Sequence, residues 1–558
     1  MAAAAFAALL ALLVPLSGVA GVAGGPAEGT FVDPALLAAA QSAPGAKLEV
    51  IIQSSAGTDD AGSAVTAKGN GGQGSIRRQL ELIGAVAATV PGGRLLALAK
   101  RPGLTITADA PVTRDAYANV QLWPYSTGLN RLWGSYYSPA PPAPTIAIVD
   151  SGVDPSRPDL WNKLLIPQVT ITKLPQNSPN DGNGHGTFVA SLAAGVGNGH
   201  VGAAPNAKLI SLDVLDDNGM ALTSDVVAAA QWIFTYRNVY NIRVANFSLH
   251  STAPSHFVVD PLDKAVEKLW LNGVVVVAAA GNYGVGGAQT SVLYAPSNDP
   301  FVITVGAADL MGTASRGDDV AAPFSAWGYT ADGFAKPELG APGRYMIGAV
   351  PLLAALVSAR PANVVSSGYM QLSGTSFAAP IVAGAAAQLL ARRPGLQPDE
   401  VKGLLMLGAD DATAATPQSL GAGELNAAKS ARLISTVWPY PNPNAALGAF
   451  VATDLAGVRF FNGLAWEAAV TGDPGWDAAA WDTKYWGNAS WDAKYWGDVA
   501  WDTKYWGDLA ASDVSWASQA QSDTSREAAA DADPSASGYA LTADEAAALA
   551  ADPALAGP

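Results

Sequence analysis

Five short runs of apolar, largely β-branched residues recur through the middle of the chain, and no other feature narrows its folding options so much. They are Thr145-Ile146-Ala147-Ile148-Val149, Lys208-Leu209-Ile210-Ser211-Leu212, Val244-Ala245-Asn246-Phe247-Ser248, residues 274–280, and Val302-Ile303-Thr304-Val305-Gly306. A strand that is apolar at nearly every position, not at every second one, has to be covered on both faces. Helix-like segments separate the runs. The pattern therefore predicts an α/β fold, a mainly parallel sheet with helices on both faces. In such sheets the site gathers beyond the carboxyl ends of the strands, and Asp150 lies at one such end.

At 558 residues the chain is too long for one ordinary domain. It has no cysteine, which excludes disulfides, thiol chemistry and Cys-based zinc sites. A net charge of −16 argues against nucleic acid or an anionic membrane surface as partner. That charge is concentrated late: from Thr436 onward there are 17 acidic residues against 5 basic.

Residues 1–28 begin with an uncharged run of Ala, Leu, Val and Phe followed by small residues, which reads as a secretory signal or, since no Lys or Arg precedes the apolar run, as an anchor. Residues 29–112 read as a small α+β unit. Strands are expected at 47–52, 85–90 and 104–107, a Gly/Ser/Asp-rich loop at 54–74, and helices at 76–83 and 94–100. Residues 113–144, punctuated by prolines and aromatics, read as a linker.

Three polar residues carry the chemistry. Ser376 follows Gly374-Thr375 and opens an apolar, small-residue helix, where free backbone N–H groups and the helix dipole favour developing negative charge. By itself it reads equally as an N-cap serine. His185, one of four histidines, sits in Asp181-Gly182-Asn183-Gly184-His185-Gly186-Thr187, and by itself reads as a turn residue. Together with Asp150 they supply what acyl transfer by serine needs: a hydroxyl, a base to take its proton, and an acid to hold that base in one tautomer.

The order Asp, His, Ser and the flanking blocks resemble the subtilisin-like serine peptidases. The blocks are Ile148-Val149-Asp150-Ser151-Gly152-Val153-Asp154, Gly184-His185-Gly186-Thr187 and Gly374-Thr375-Ser376-Phe377-Ala378-Ala379-Pro380. A fourth, Val277-Ala278-Ala279-Ala280-Gly281-Asn282, looks like the family's strand ending in the oxyanion asparagine, although Asn282 also reads as a turn residue before Tyr283-Gly284. The resemblance covers about 145–435 and implies a secreted serine endopeptidase acting on proteins or peptides through Asp150, His185 and Ser376. It implies Asn282 as oxyanion donor and a pocket lined by Ser248, Leu249, Ala279, Ala280 and Gly281. It also implies that residues 29–112 are a propeptide, an intramolecular inhibitor removed by self-cleavage between about 111 and 125.

No cofactor is required on this reading. Calcium is an option at Asp159, nine residues after Asp150, with Asn198 the one obvious side-chain companion in a short following loop; Asp159 reads equally as the cap of a turn at Leu160. One departure is Ser248-Leu249-His250, where the family commonly has Ser-Leu-Gly, so His250 either narrows the cleft or points to solvent. Residues 436–475 read as a linker. Residues 476–516 repeat Trp-Asp-(Thr/Ala)-Lys-Tyr-Trp-Gly with a period of ten. They read either as a spacer or as a stacked aromatic surface for carbohydrate or cell wall. The rest, 517–558, is an acidic Ala/Asp/Ser-rich tail with a short helix expected at 543–549. The rival reading is a surface-binding or structural protein whose peptidase core only processes itself.

Overall fold

The computed structural model describes residues 29–68, 71–109, 121–134, 139–197, 199–313 and 315–472. The signal segment, most of the expected self-cleavage stretch, Asn198, the Trp repeats and the acidic tail lie outside the described residues. Two compact units divide the chain, 1–114 and 115–558.

In the first unit, five strands form one sheet in the order Phe31–Val32, Leu104–Ala108, Lys47–Ser54, Ala85–Pro91, Ser75–Leu80. Helices Pro34–Ser42, Thr58–Thr66 and Gly92–Leu98 accompany it, over a core that includes Val50, Ile52, Val65, Val86, Leu95 and Ile106. Two local expectations are overturned. The expected helix at 76–83 is a strand, Ser75–Leu80, closed by the short 3-10 turn Glu81–Ile83. The expected loop at 54–74 contains the helix Thr58–Thr66. The reason is tertiary. Ala85–Pro91 offers an open edge that pairs with Ser75–Leu80. The small-residue helix, with Asp59 and Asp60 in its first turn, buries Ala61, Ala64 and Val65.

The second unit is built on the predicted sheet. Its strands run Val320–Ala321, Ile303–Asp309, Val275–Ala279, Ile242–Phe247, Thr145–Asp150, Leu209–Asp213, Val169–Thr170, with Leu339–Pro342 also paired to Ile303–Asp309. All neighbours are parallel except the short Val320–Ala321. Every residue of Thr145–Asp150, Leu209–Asp213 and Val275–Ala279 is buried. Since successive side chains point to opposite faces, both faces are covered.

Chain order reverses at the centre of this sheet. Moving outward from Thr145–Asp150, one neighbour is the next strand of the sheet's core and the other is the one after that. Thr145–Asp150 and Ile242–Phe247 therefore flank a topological switch point, where a crevice opens beyond the strand ends. The helix Thr375–Arg392 packs against the central strands. It is buried along 17 of its 18 residues, which accounts for its run of Ala and Gly: an all-round buried helix in close contact needs small side chains.

The folded unit extends past both boundaries expected for it. Leu122, Trp123, Leu129 and Leu132, inside the stretch read as a linker, join the main core. Residues 437–472 carry the hairpin Val451–Thr453/Arg459–Phe461 and the helix Gly463–Gly472. Phe461 packs edge-to-face at 5.2 Å against Phe301, and Trp466 edge-to-face at 5.0 Å against Phe257. The Pro/Asn-rich opening of this stretch reads as a linker, yet Phe461 and Trp466 beyond it are buried in the main core. Among the described residues no helix is long and apolar enough to cross a membrane.

Asp319 and Glu424 are each 1% exposed and lie side by side. Burial and then Glu424 beside it push the Asp319 carboxyl up to about 10, so the folded chain holds a proton there that the unfolded chain releases near pH 4. The folded pKa is the raised one. Stability from this proton is therefore full below about pH 4 and is lost as pH rises towards 10. Asp319→Asn, which keeps a hydrogen-bond donor in place without a charge, should flatten the decline of melting temperature between pH 5 and pH 9, about the middle of that window. An unchanged slope would show that this pair is not its source.

Candidate active site

Asp150 is the last residue of its strand, fully buried, with Oδ1 accepting from the Ser151 N–H at 2.8 Å. His185 is the first residue of the helix His185–Ala194. Gly184 caps that helix at φ +101°, a backbone region that an L side chain enters only with strain. The His185 Nδ1 lies 2.8 Å from Asp150 Oδ1. A carboxylate there fixes the tautomer with hydrogen on Nδ1 and leaves Nε2 as the base.

Ser376 is the second residue of the long central helix and is 8% exposed. The imidazole of His185 packs 5.4 Å from the ring of Phe377, the next residue of that helix. In this structure the Ser376 hydroxyl donates to the Ser248 carbonyl at 3.3 Å. Such hydroxyls commonly realign when substrate arrives. Ser248 Oγ in turn donates to the Ser376 carbonyl at 2.7 Å, joining the end of Ile242–Phe247 to the start of the helix.

Asn282 follows the neighbouring strand and is 8% exposed. Its Oδ1 accepts from Thr375 N at 2.8 Å and Thr375 Oγ1 at 3.0 Å, which fixes which end of the amide is oxygen and turns the NH2 to the other side. An NH2 group held this way and the first-turn N–H of Ser376 are donors of the kind that a tetrahedral oxyanion requires.

Of the expected pocket residues, Ser248 and Gly281 touch this machinery directly, Gly281 through its N–H to Thr375 Oγ1 at 3.1 Å. Leu249 is half-buried against the core. Ala279 and Ala280 are buried in it, 2% and 0% exposed, so their contribution to the crevice is backbone. His250 does not simply point to solvent. It is half-buried, donates from Nδ1 to the Ser251 carbonyl at 2.7 Å, and packs on Tyr294 at 5.3 Å and edge-on to Tyr283 at 5.9 Å.

Sequence reasoning passed over Asp181. It is 3% exposed and accepts from Gly184 N, Thr187 N and Thr187 Oγ1 in the first turn of the histidine helix, and from Ser151 Oγ beside Asp150. Ser151 Oγ also accepts from Gly186 N at 2.9 Å. The Asp150 loop and the His185 helix are thus tied through one carboxylate, whose pKa burial pushes up to about 7 against the pull of these donors. An Asp four residues before a helix-opening His was the signal available.

Among the described residues no three His, Cys, Asp or Glu side chains are grouped to hold a metal. Asp159, the sequence's calcium candidate, is instead engaged by the Arg157 guanidinium and the Tyr369 hydroxyl.

Comparison with known proteins bears on the same stretch. The profile of the subtilase family, peptidase S8, matches residues 142–423. A serine protease, AprX, of Bacillus subtilis is 38% identical over 296 residues, 51% of this chain and 65% of that protein. The chain thus spans a little under two-thirds of that relative's length. Subtilisin DY of Bacillus licheniformis is 35% identical over 262 residues, 47% of this chain and 81% of that protein. Among solved structures, a cold-adapted subtilisin-like serine proteinase is similar at 27% identity and a TM-score of 0.39, over 51% of this chain and 88% of the other.

Proposed function

The chain belongs to the subtilase family of serine endopeptidases, and from that premise we propose that it is a secreted zymogen that hydrolyses peptide bonds through Asp150, His185 and Ser376. The observation that carries the reading is the 2.8 Å contact between His185 Nδ1 and Asp150 at the switch point of the sheet, with Ser376 entering from the central helix.

His185 Nε2 takes the proton of Ser376, whose Oγ attacks the scissile carbonyl. Asp150 keeps the imidazole in the required tautomer and stabilises its cation. Asn282 and the Ser376 N–H receive the oxyanion. His185 then protonates the leaving amine, and water repeats the cycle to release the acyl group. No metal enters any step. Residues 29–112 act on this proposal as the inhibitory propeptide. What supports this is the compact α+β unit at that position, with its own core.

The test is covalent. A serine-directed organophosphonate added to the full-length protein should attach at Ser376 and stop both self-cleavage near residues 111–125 and digestion of unfolded casein. Stoichiometric labelling at another serine, with activity lost, would sink the assignment.

A further inference from the structure

The charge partner of Asp159 is built into the chain. Asp159 is 1% exposed, in the short turn Pro158–Leu160. Its Oδ2 lies 3.1 Å from Arg157 Nη2, and its Oδ1 accepts the hydroxyl hydrogen of Tyr369. Each carboxylate oxygen therefore already has a protein donor, one of them cationic. The arginine side chain is itself mostly buried, 11% exposed, and its Cζ lies 5.3 Å from the Tyr369 ring centre. The ring of His200 packs on the same tyrosine at 4.4 Å.

The backbone is carved to admit this group. A Cβ at Gly368 would overlap the Arg157 guanidinium, and a Cβ at Gly197 would overlap Asp159 Oδ1. Calcium wants six to eight oxygens and no competing cation. The residues here do not fit it.

Three segments meet at this point. Asp159 lies nine residues after Asp150. Tyr369 opens the strand Tyr369–Leu372, which leads within a few residues to Ser376. Gly197 and His200 belong to the hairpin that directly follows the helix His185–Ala194. We infer that the Arg157 guanidinium is the resident cation of the Asp159 site and fastens, without a metal ion, the three segments that carry Asp150, His185 and Ser376.

A planar fork with five donors suits this task better than a lysine, since it can serve a carboxylate while lying near an aromatic ring. Removing the guanidinium leaves a buried carboxylate with one hydroxyl donor, the situation in which breaking a buried pair is costly.

Thermal unfolding of the full-length chain tests this, with Ser376→Ala throughout to prevent self-digestion. The parent should melt at the same temperature in chelator and in millimolar calcium. Arg157→Met should lower the melting temperature by about 5–10 °C, Arg157→Lys by less, and Tyr369→Phe, the milder change, by a few degrees. A calcium-dependent rise in the parent that Asp159→Asn abolishes would overturn the inference, and so would an Arg157→Met variant that melts like the parent. A calcium-dependent rise that Asp159→Asn keeps places the ion elsewhere and upholds the assignment. Should Arg157→Met fail to fold, the Tyr369→Phe shift and the parent's calcium response decide between the same alternatives.

Discussion

Ser376→Ala should leave a chain that neither digests casein nor shortens itself, with kcat down by about 10⁵–10⁶-fold, the scale on which serine triads fail when the nucleophile goes. The side chain is small and sits at a helix start where alanine is well tolerated, so folding should survive; far-ultraviolet circular dichroism of the variant checks this. Its hydroxyl contributes one 3.3 Å hydrogen bond to the Ser248 carbonyl, and that carbonyl stays at the crevice wall when the hydroxyl is gone. The loss is therefore chemical. Intact mass and casein turnover, measured on the same preparations, separate three outcomes. If the variant is inert and full length while the wild type is processed and active, the peptidase reading stands. If the wild type cleaves only itself, the core is a processing device, and the Trp repeats become the place to look for function. If the two proteins behave alike, Ser376 is not the nucleophile.

Asp150→Asn should lower kcat by about 10⁴-fold with little change in KM. The fully buried carboxylate accepts from Ser151 N and lies 2.8 Å from His185 Nδ1. An amide is nearly isosteric but uncharged: with its oxygen at the Oδ1 position it no longer stabilises the imidazolium, and with its NH2 there it opposes the Ser151 N–H, makes Nδ1 an acceptor and moves the ring hydrogen to Nε2. In the second orientation the histidine has no lone pair to offer Ser376. Because either defect lies in the imidazole and not in a lost pocket, substrate binding should be preserved. A variant that loses KM and kcat together would point instead to a collapsed Asp150 loop, and one that keeps full kcat would remove Asp150 from the mechanism.

The propeptide-sized unit shows where local reading failed. Ser75–Leu80 contains Arg77, Arg78 and Gln79, good helix formers in isolation, yet it pairs in the sheet because an edge was open beside Ala85–Pro91. Arg77 pairs there with Glu49 at 2.7 Å across the sheet, a partner 28 residues away in sequence. Phe461 and Trp466 failed the same way. Nothing near them in sequence says that Phe257 and Phe301 await them.

The catalytic candidates were legible because their chemistry is local: each lies at the end or start of an element whose periodicity the sequence announces. Asp150 ends an unbroken apolar strand, and His185 and Ser376 each open a small-residue helix. Side-chain order along the chain and the α/β architecture were thus determined by the sequence itself, through hydrophobic period and helix-start chemistry. What only the tertiary structure decided is which distant groups compensate buried charge. Lys402, on the helix Pro398–Gly408, reaches Glu338 at 2.8 Å, and Lys336 reaches the same carboxylate oxygen at 2.8 Å, all three fully buried. Arg157, Asp159 and Tyr369 form their clamp across more than two hundred residues of sequence. Periodicity tells a segment which face to bury. It carries no information about the partner across the gap, because that partner is chosen by three-dimensional proximity and by the cost of leaving a charge unpaired in a low-dielectric interior.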